Sequence, residues 1–238
     1  MSFKLENSNY QLKTIKFGVD NVLSEKIMPP FPNTSFFWVI AGKAGSGKTS
    51  LLINALVNSD IYKRVFDKIL LVMPKNSRAS LKNNPLDDLP PDQTFENFGP
   101  DVVQKVQEIR EEFNTLNIKK PKNRNQLLIL DDVTAYLKDH PKELIELATN
   151  RRHLKLSIIL LSQFIRAIPR PVRFQVTHLT VFKPANELDA KVIEEEFINL
   201  PKETFKNLCR FVWDGPHSFL FIDKNYDIFY KNLSKINF

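Results

Sequence analysis

The stretch Phe36-Phe37-Trp38-Val39-Ile40-Ala41-Gly42-Lys43-Ala44-Gly45-Ser46-Gly47-Lys48-Thr49 decides how the rest of the chain is read. Its first six residues are an unbroken apolar, aromatic and β-branched run, the pattern of a strand buried on both faces. The next eight hold three of the six glycines in the 238-residue chain, so one loop concentrates the backbone freedom that the remainder lacks. Beyond it Leu, Ile and Ala run on to Val57 without a breaker, which predicts a helix over 49–57. Strand, glycine loop ending in Gly-Lys-Thr, and helix satisfy the phosphate-loop pattern in the context it requires. Backbone N–H groups turned inward by the glycines, together with the positive end of the helix, would surround phosphate oxygens. Gly42, Lys43, Ala44, Gly45, Ser46, Gly47, Lys48, Thr49 and the adjoining Ser50 are therefore the candidate nucleotide-binding residues. Lys48 would reach the β- and γ-phosphates of ATP, and Thr49 would offer its hydroxyl to Mg²⁺. The competing reading is a structural glycine-rich turn.

Outward from this unit, a second buried run, Ile69-Leu70-Leu71-Val72-Met73, stops at Pro74. Asn, Asp, Pro and Lys dominate 75–99, which predicts a long surface excursion. Val102, Val106, Ile109, Phe113 and Leu116 share one face of a helix expected over 101–117. A basic connection leads to a strand over 127–130. Further elements are expected as a helix over 142–148, a strand over 157–161, a strand over 179–182, a helix over 187–197, and a terminal hairpin of 219–222 with 228–230. Apolar strands alternating with helices predict an α/β fold whose mostly parallel sheet is covered on both faces. The length fits one such domain, expected over 31–238 behind an N-terminal extension over 1–30.

The strand Leu127-Leu128-Ile129-Leu130 runs into Asp131-Asp132, the carboxylates a phosphate loop needs beside it. Asp131 would hold Mg²⁺, partly through water, and Asp132 would orient or deprotonate the attacking water. The alternative is a helix cap followed by a solvated aspartate. Gln163, after Ser162, ends the next apolar strand where ligands meet an open α/β sheet, and could sense the γ-phosphate or serve as an ordinary strand end. Arg151 and Arg152 precede that strand, in the region where ring ATPases offer an arginine finger to a neighbour; a helix end with solvated arginines is the other reading. His140, His178 and His217 show no ligand spacing, and Cys209 reads as core. One cysteine excludes an intrachain disulfide framework, and no run has signal-peptide or membrane-spanning character, so an intracellular setting is the expectation.

The net charge of +7 is localised. Between Asn150 and Asn186 there is no acidic residue, while Arg151, Arg152, Lys155, Arg166, Arg170, Arg173 and Lys183 add seven positive charges; the rest balances at 27 basic and 27 acidic residues. One basic stretch in an otherwise neutral chain points to a polyanion, with Arg166, Arg170 and Arg173 as candidate DNA contacts.

The motif series resembles the genome-packaging ATPases of poxviruses, large DNA viruses and their virophage relatives, within the FtsK–HerA superfamily of P-loop motors. The resemblance rests on Ala41 to Thr49, on Asp131-Asp132, and above all on Arg152-His153-Leu154-Lys155-Leu156-Ser157-Ile158-Ile159-Leu160-Leu161-Ser162-Gln163. Pro169 to Phe182 and Phe219 to Asp223 extend it over 36–230. It departs where the family would have Arg-x-Asn and this chain has Arg173-Phe174-Gln175. The resemblance implies an ASCE/RecA-like P-loop NTPase fold, with ATP and Mg²⁺ as cofactors and Lys48, Asp132, Gln163 and one of Arg151 or Arg152 in catalysis. It also implies double-stranded DNA as the cargo, a homo-oligomeric ring of five or six subunits, and a capsid or portal component as a further partner. The expected place is host cytoplasm or a viral factory, transiently at the capsid. Two alternatives from other classes are a small-molecule P-loop kinase, which would normally add an arginine-bearing lid, and a non-hydrolysing nucleotide-binding assembly protein, which would not need Asp132 or Gln163.

Overall fold

The computed structural model describes residues 22–78, 85–119 and 122–237. Most of the expected N-terminal extension (1–21), the middle of the 75–99 excursion and Lys120-Pro121 of the basic connection lie outside the described residues. The strands are β1 (Phe37–Ala41), β2 (Lys68–Val72), β3 (Thr94–Phe95), β4 (Gln126–Leu130), β5 (Leu156–Ser162), β6 (His178–Phe182), β7 (Phe219–Asp223), β8 (Ile228–Lys231) and β9 (Ser234–Lys235). They join one sheet in the order β3-β2-β4-β5-β1-β6-β7-β8-β9. Pairing is parallel from β3 to β6 and antiparallel from β6 outward. The helices are α1 (Lys48–Val57), α2 (Lys75–Arg78), α3 (Pro100–Lys119), α4 (Pro141–Asn150), α5 (Arg170–Arg173), α6 (Glu187–Phe197) and α7 (Lys202–Val212).

The period of two along β1 divides the core. Phe37 and Val39 face a cluster completed by Val102, Val106, Ile109 and Phe113 of α3, Leu144 and Leu147 of α4, and Phe205 and Leu208 of α7. Trp38 and Ile40 face the other cluster, with Leu52 and Ala55 of α1, Tyr62, Phe66, and Leu23 and Ile27 from before β1. Every residue of β1, β4, β5 and β6 is buried, which is why β1 and the middles of β4 and β5 read as continuous apolar runs. The mixed α/β sheet with helices on both faces and antiparallel C-terminal strands is the architecture expected from the sequence.

Three details differ from that expectation. The 75–99 excursion is not all surface: β3 pairs with β2, and Leu86 and Phe98 are buried. Helix α7 is not among the expected elements, although Phe205, Leu208 and Val212 recur at three and four residues and Pro201 precedes it. The terminal hairpin gains a two-residue strand, β9. Among the described residues, no helix is long and apolar enough to cross a membrane.

The sheet order sets the site. β5 separates β1 from β4, and register aligns Val39 with Leu160 and Leu160 with Leu130. The residues that follow these strands, Gly42, Gln163 and Asp131, therefore emerge at the same end of the sheet, the end at which open α/β folds bind ligands.

Candidate functional site

The chain leaves β1 at Gly42, whose N–H donates to the Ser162 carbonyl at 3.0 Å. A Cβ here would stand 2.7 Å from both Phe182 Cβ and Ser46 Oγ, so the position demands glycine for space. Lys43, Ala44 and Gly45 form the exposed crest of the loop. Gly47, with φ 108°, caps α1 in a left-handed conformation that glycine adopts without a steric penalty. That cap offers no side-chain acceptor and the first turn of α1 has no acidic residue, so its N–H groups face the loop as an anion-binding end. Lys48 is the first residue of the helix and is 9% exposed; its ammonium donates to the Gly42 carbonyl at 2.8 Å and to the Lys43 carbonyl at 3.2 Å. Burial pulls its pKa below the ordinary lysine value, and the fields of Asp131 and Asp132 oppose that shift. Thr49 is half-buried and Ser50 exposed on the same turn.

Asp131, 5% exposed, follows β4, and its N–H donates to the Val72 carbonyl at 3.0 Å. Burial and the neighbouring Asp132 push its carboxyl up to about 6, against the opposite pull of Lys48. Asp132 turns the chain at φ 55° and is exposed. No α-helix starts at this pair, since the next one, α4, begins at Pro141. Ser162 is buried, and its hydroxyl donates to the Phe164 carbonyl at 2.8 Å and lies 3.4 Å from Thr134 Oγ1. Gln163 is exposed directly after it. The three strand ends thus assemble a lysine, two carboxylates and an amide around one loop.

These residues fit a nucleotide with its Mg²⁺. Ser46 Oγ is buried within the loop and has no hydrogen-bond partner among the described residues. The Lys48 ammonium stands on carbonyls of its own loop, and the buried Asp131 carboxyl supplies the metal-side oxygens that such a ligand requires.

The wall beside the loop has no local signature in the sequence. An open cleft of about 520 Å³ runs from Gly45 along α1 to Asn54 and is closed by Phe182, His217 and Phe219. Antiparallel pairing sets Phe182 opposite Phe219, with ring centroids 5.3 Å apart. His217 Nδ1 lies 3.0 Å from the Ser46 carbonyl. Residues this far apart in sequence meet only through the β6–β7 pairing, so no local spacing announces them.

The basic stretch is split by the fold. Arg151 and Arg152 stand at the entry of β5, roughly 20 Å of strand from Ser162. Arg151 is half-buried, donating to the Ala148 carbonyl at 2.6 Å and the Ser35 carbonyl at 3.4 Å, whereas Arg152 is exposed. Arg166 and Arg170 emerge at the opposite end, both exposed, with Arg170 packed over the Phe174 ring at 5.3 Å. Arg173 does not join them, which corrects its place among the outward DNA contacts. It is 7% exposed, forks onto both oxygens of Glu196 at 2.7 Å and donates to the Ile168 carbonyl, so its charge is neutralised inside the fold. His178 is buried against Thr177 and Asp223, and His140 pairs with Glu143. Burial raises the Cys209 thiol to about 11, as befits packing rather than reactivity.

The sequence profile of the poxvirus A32 protein family matches residues 30–208. Among solved structures, the chain is similar to the genome packaging NTPase B204 from Sulfolobus turreted icosahedral virus 2. Its sulfate complex gives a TM-score of 0.61 at 18% identity, over 87% of this chain and 100% of that chain. The AMP complex of the same protein gives 0.56 at 19% identity, over 85% and 98%. ATPases 2 and 3 of EssC from Geobacillus thermodenitrificans give 0.53 at 14% identity, over 84% of this chain and 39% of that chain. At these identities the likeness is one of fold. A search of curated protein sequences finds no match.

Proposed function

The chain belongs to the poxvirus A32 protein family, and from that premise we propose that it is an ATP-hydrolysing motor that drives double-stranded DNA into a capsid. The observation that carries the reading is the convergence of buried Lys48 with Asp131 and Asp132 at strand ends separated by one intervening strand. The residues 42–50 cradle the triphosphate, and Lys48 swings from its loop carbonyls to the β- and γ-phosphates. Thr49 and Asp131 would hold Mg²⁺, which would supply neutralisation of the charge that develops on the phosphates. Asp132, exposed at its turn, takes the proton of the attacking water, and Gln163 orients that water from the end of β5. B204 has been determined with AMP and with AMPPCP, which supports nucleotide as the ligand of this loop.

Arg151 and Arg152 lie too far from their own loop to reach it, so their catalytic role requires a neighbour in a closed head-to-tail ring of five or six copies. Between them, Arg152 is the first candidate for the finger, because it is the more exposed of the two. Arg166 and Arg170 contact DNA phosphates at the loop end of the sheet. Residues 31–238 act as one domain, and the protein works inside the infected cell with a capsid or portal component. The test is ATP turnover with and without double-stranded DNA over a range of protein concentrations. Turnover stimulated by DNA and rising with concentration is expected; turnover indifferent to both rejects the motor.

A further inference from the structure

Ser162 closes β5 and is 2% exposed, and its polar atoms are committed on several sides. The hydroxyl donates to the Phe164 carbonyl at 2.8 Å and accepts the Phe164 N–H at 3.3 Å, so the turn that carries Gln163 is clamped across its base. The Ser162 carbonyl takes the Gly42 N–H at 3.0 Å, which ties the same residue to the phosphate loop. Beyond the clamp the chain reaches Arg166, whose N–H donates to Asp189 Oδ1 at 3.2 Å.

A further contact of this hydroxyl comes from the segment that follows β4. Thr134 Oγ1 lies 3.4 Å from Ser162 Oγ. A hydroxyl has one proton to give, and Ser162 spends its own on the Phe164 carbonyl, so Thr134 is the donor between the two. Thr134 stands two residues after Asp132 on an anchored turn. Val133 is fully buried, and its carbonyl accepts the N–H groups of Tyr136 at 2.9 Å and Leu137 at 3.3 Å. The turn of Asp132 is thereby joined to the turn of Gln163 by a directed chain, Thr134 to Ser162 to the Phe164 carbonyl, in which each hydroxyl polarises the next. At 3.4 Å the first link is longer than the roughly 2.7–2.8 Å of a formed hydroxyl–hydroxyl bond, which leaves it room to tighten.

We propose that Thr134 is a positioning residue whose hydroxyl, acting through Ser162, holds the Gln163 amide in register with Asp132, so that the two groups address the same water. The inference rests on the roles given above to Asp132 and Gln163 and adds what aligns them. An exposed amide on a loosened turn samples more than one rotamer, and a misplacement of about 1 Å at a reacting group costs up to about 10²-fold in rate. Thr134 acts on the rate through Gln163, so its hydroxyl should matter to turnover and not to nucleotide affinity.

The experiment measures ATP turnover at saturating ATP and Mg²⁺, equilibrium ATP binding and melting for the full chain. Thr134→Val keeps the shape of the side chain and deletes the hydroxyl. Its turnover should fall about fivefold to tenfold, the worth of about one hydrogen bond, with ATP affinity and melting close to wild type. Thr134→Ser keeps the hydroxyl and should retain most of the turnover. In a Gln163→Ala background Thr134→Val should cost nothing further, because the group it places is gone. Wild-type turnover in Thr134→Val overturns the proposal. So does a loss that persists in full beside Gln163→Ala, or one that Thr134→Ser shares, since Thr134 would then only pack the Asp132 turn. With Gln163→Ala itself slow, those results strike the positioning role alone and spare the reading of Gln163. If Gln163→Ala turns over as fast as wild type, the reading of Gln163 falls and the proposal falls with it.

Discussion

The N–H of Gly42 and the carbonyl of Ser162 meet at 3.0 Å, which fastens the first residue of the loop to the last residue of β5. Gln163 and the loop therefore share one rigid mount. Gly42→Ala puts a methyl group 2.7 Å from Phe182 Cβ, the root of a side chain that cannot swing away. We expect a loss of about 1–3 kcal/mol of stability, as for other overpacked sites, together with weakened tripolyphosphate binding. Wild-type melting and affinity would show that the loop has room there.

Lys48→Ala removes a charge that would follow the γ-phosphate into the transition state, and ATP turnover should fall by about 10²-fold or more. Asp132→Asn should still bind ATP with Mg²⁺ but turn it over slowly, whereas Asp131→Asn should first lose Mg²⁺ affinity. Steady-state kinetics at varied Mg²⁺ separates the two. An Asp132→Asn enzyme with normal turnover at saturation and poor metal binding would exchange the roles.

Asp131 also gives the nucleotide-free protein a pH signature. Its folded pKa of about 6 lies above the ordinary aspartate value of 3.8, so the folded state holds the proton more tightly than the unfolded chain. Stability contributed by this group is present below pH 3.8 and is lost as pH rises to about 6. The penalty above that window is about 3 kcal/mol at most. Asp131→Asn should therefore stabilise the metal-free protein at pH 7.5, with the gain disappearing near pH 3.5. Denaturant unfolding at several pH values reads the difference, and a gain independent of pH would contradict the assignment.

Arg173 and its basic neighbours should separate experimentally. Breaking the fork onto Glu196 leaves a poorly solvated carboxylate with only the longer contact from Arg170 at 3.6 Å, so Arg173→Ala should destabilise the fold by about 2 kcal/mol. Arg166→Ala with Arg170→Ala should leave melting nearly unchanged while lowering DNA affinity and flattening its salt dependence by about one unit of slope per lost phosphate contact. Unchanged DNA binding in the double variant would move the DNA contacts elsewhere.

Assembly is tested by mixing. Arg152→Ala should be inactive alone and regain part of its turnover when mixed with Lys48→Ala, because some interfaces then join an intact loop to an intact arginine. Turnover that is independent of concentration, with no rescue in the mixture, would remove both the finger and the ring.

The central unit was legible because its signals are local. An apolar run, a cluster of scarce glycines and a second apolar run ending in two aspartates each announce themselves within a dozen residues, and parallel pairing brings them to one edge. Arg173 is the opposite case. In sequence it differs in nothing from Arg166 and Arg170, and only the packing of α5 beside α6 introduces Glu196, 23 residues away. His217 shows no ligand spacing in the sequence, since its contact with Ser46 spans 171 residues. Helix α7 was hidden by its mostly polar composition, although its three buried apolar residues keep helical spacing.

The two sides of the cleft come from different parts of the chain. The phosphate-handling side lies within 42–54, inside the stretch matched by the family profile, while His217 and Phe219 follow residue 208, where that match ends. The later segment meets the loop through His217 at the Ser46 carbonyl and through Phe219 packed on Phe182. A chimera that exchanges only 209–223 would therefore replace one wall of the cleft while leaving the sequence of the loop intact.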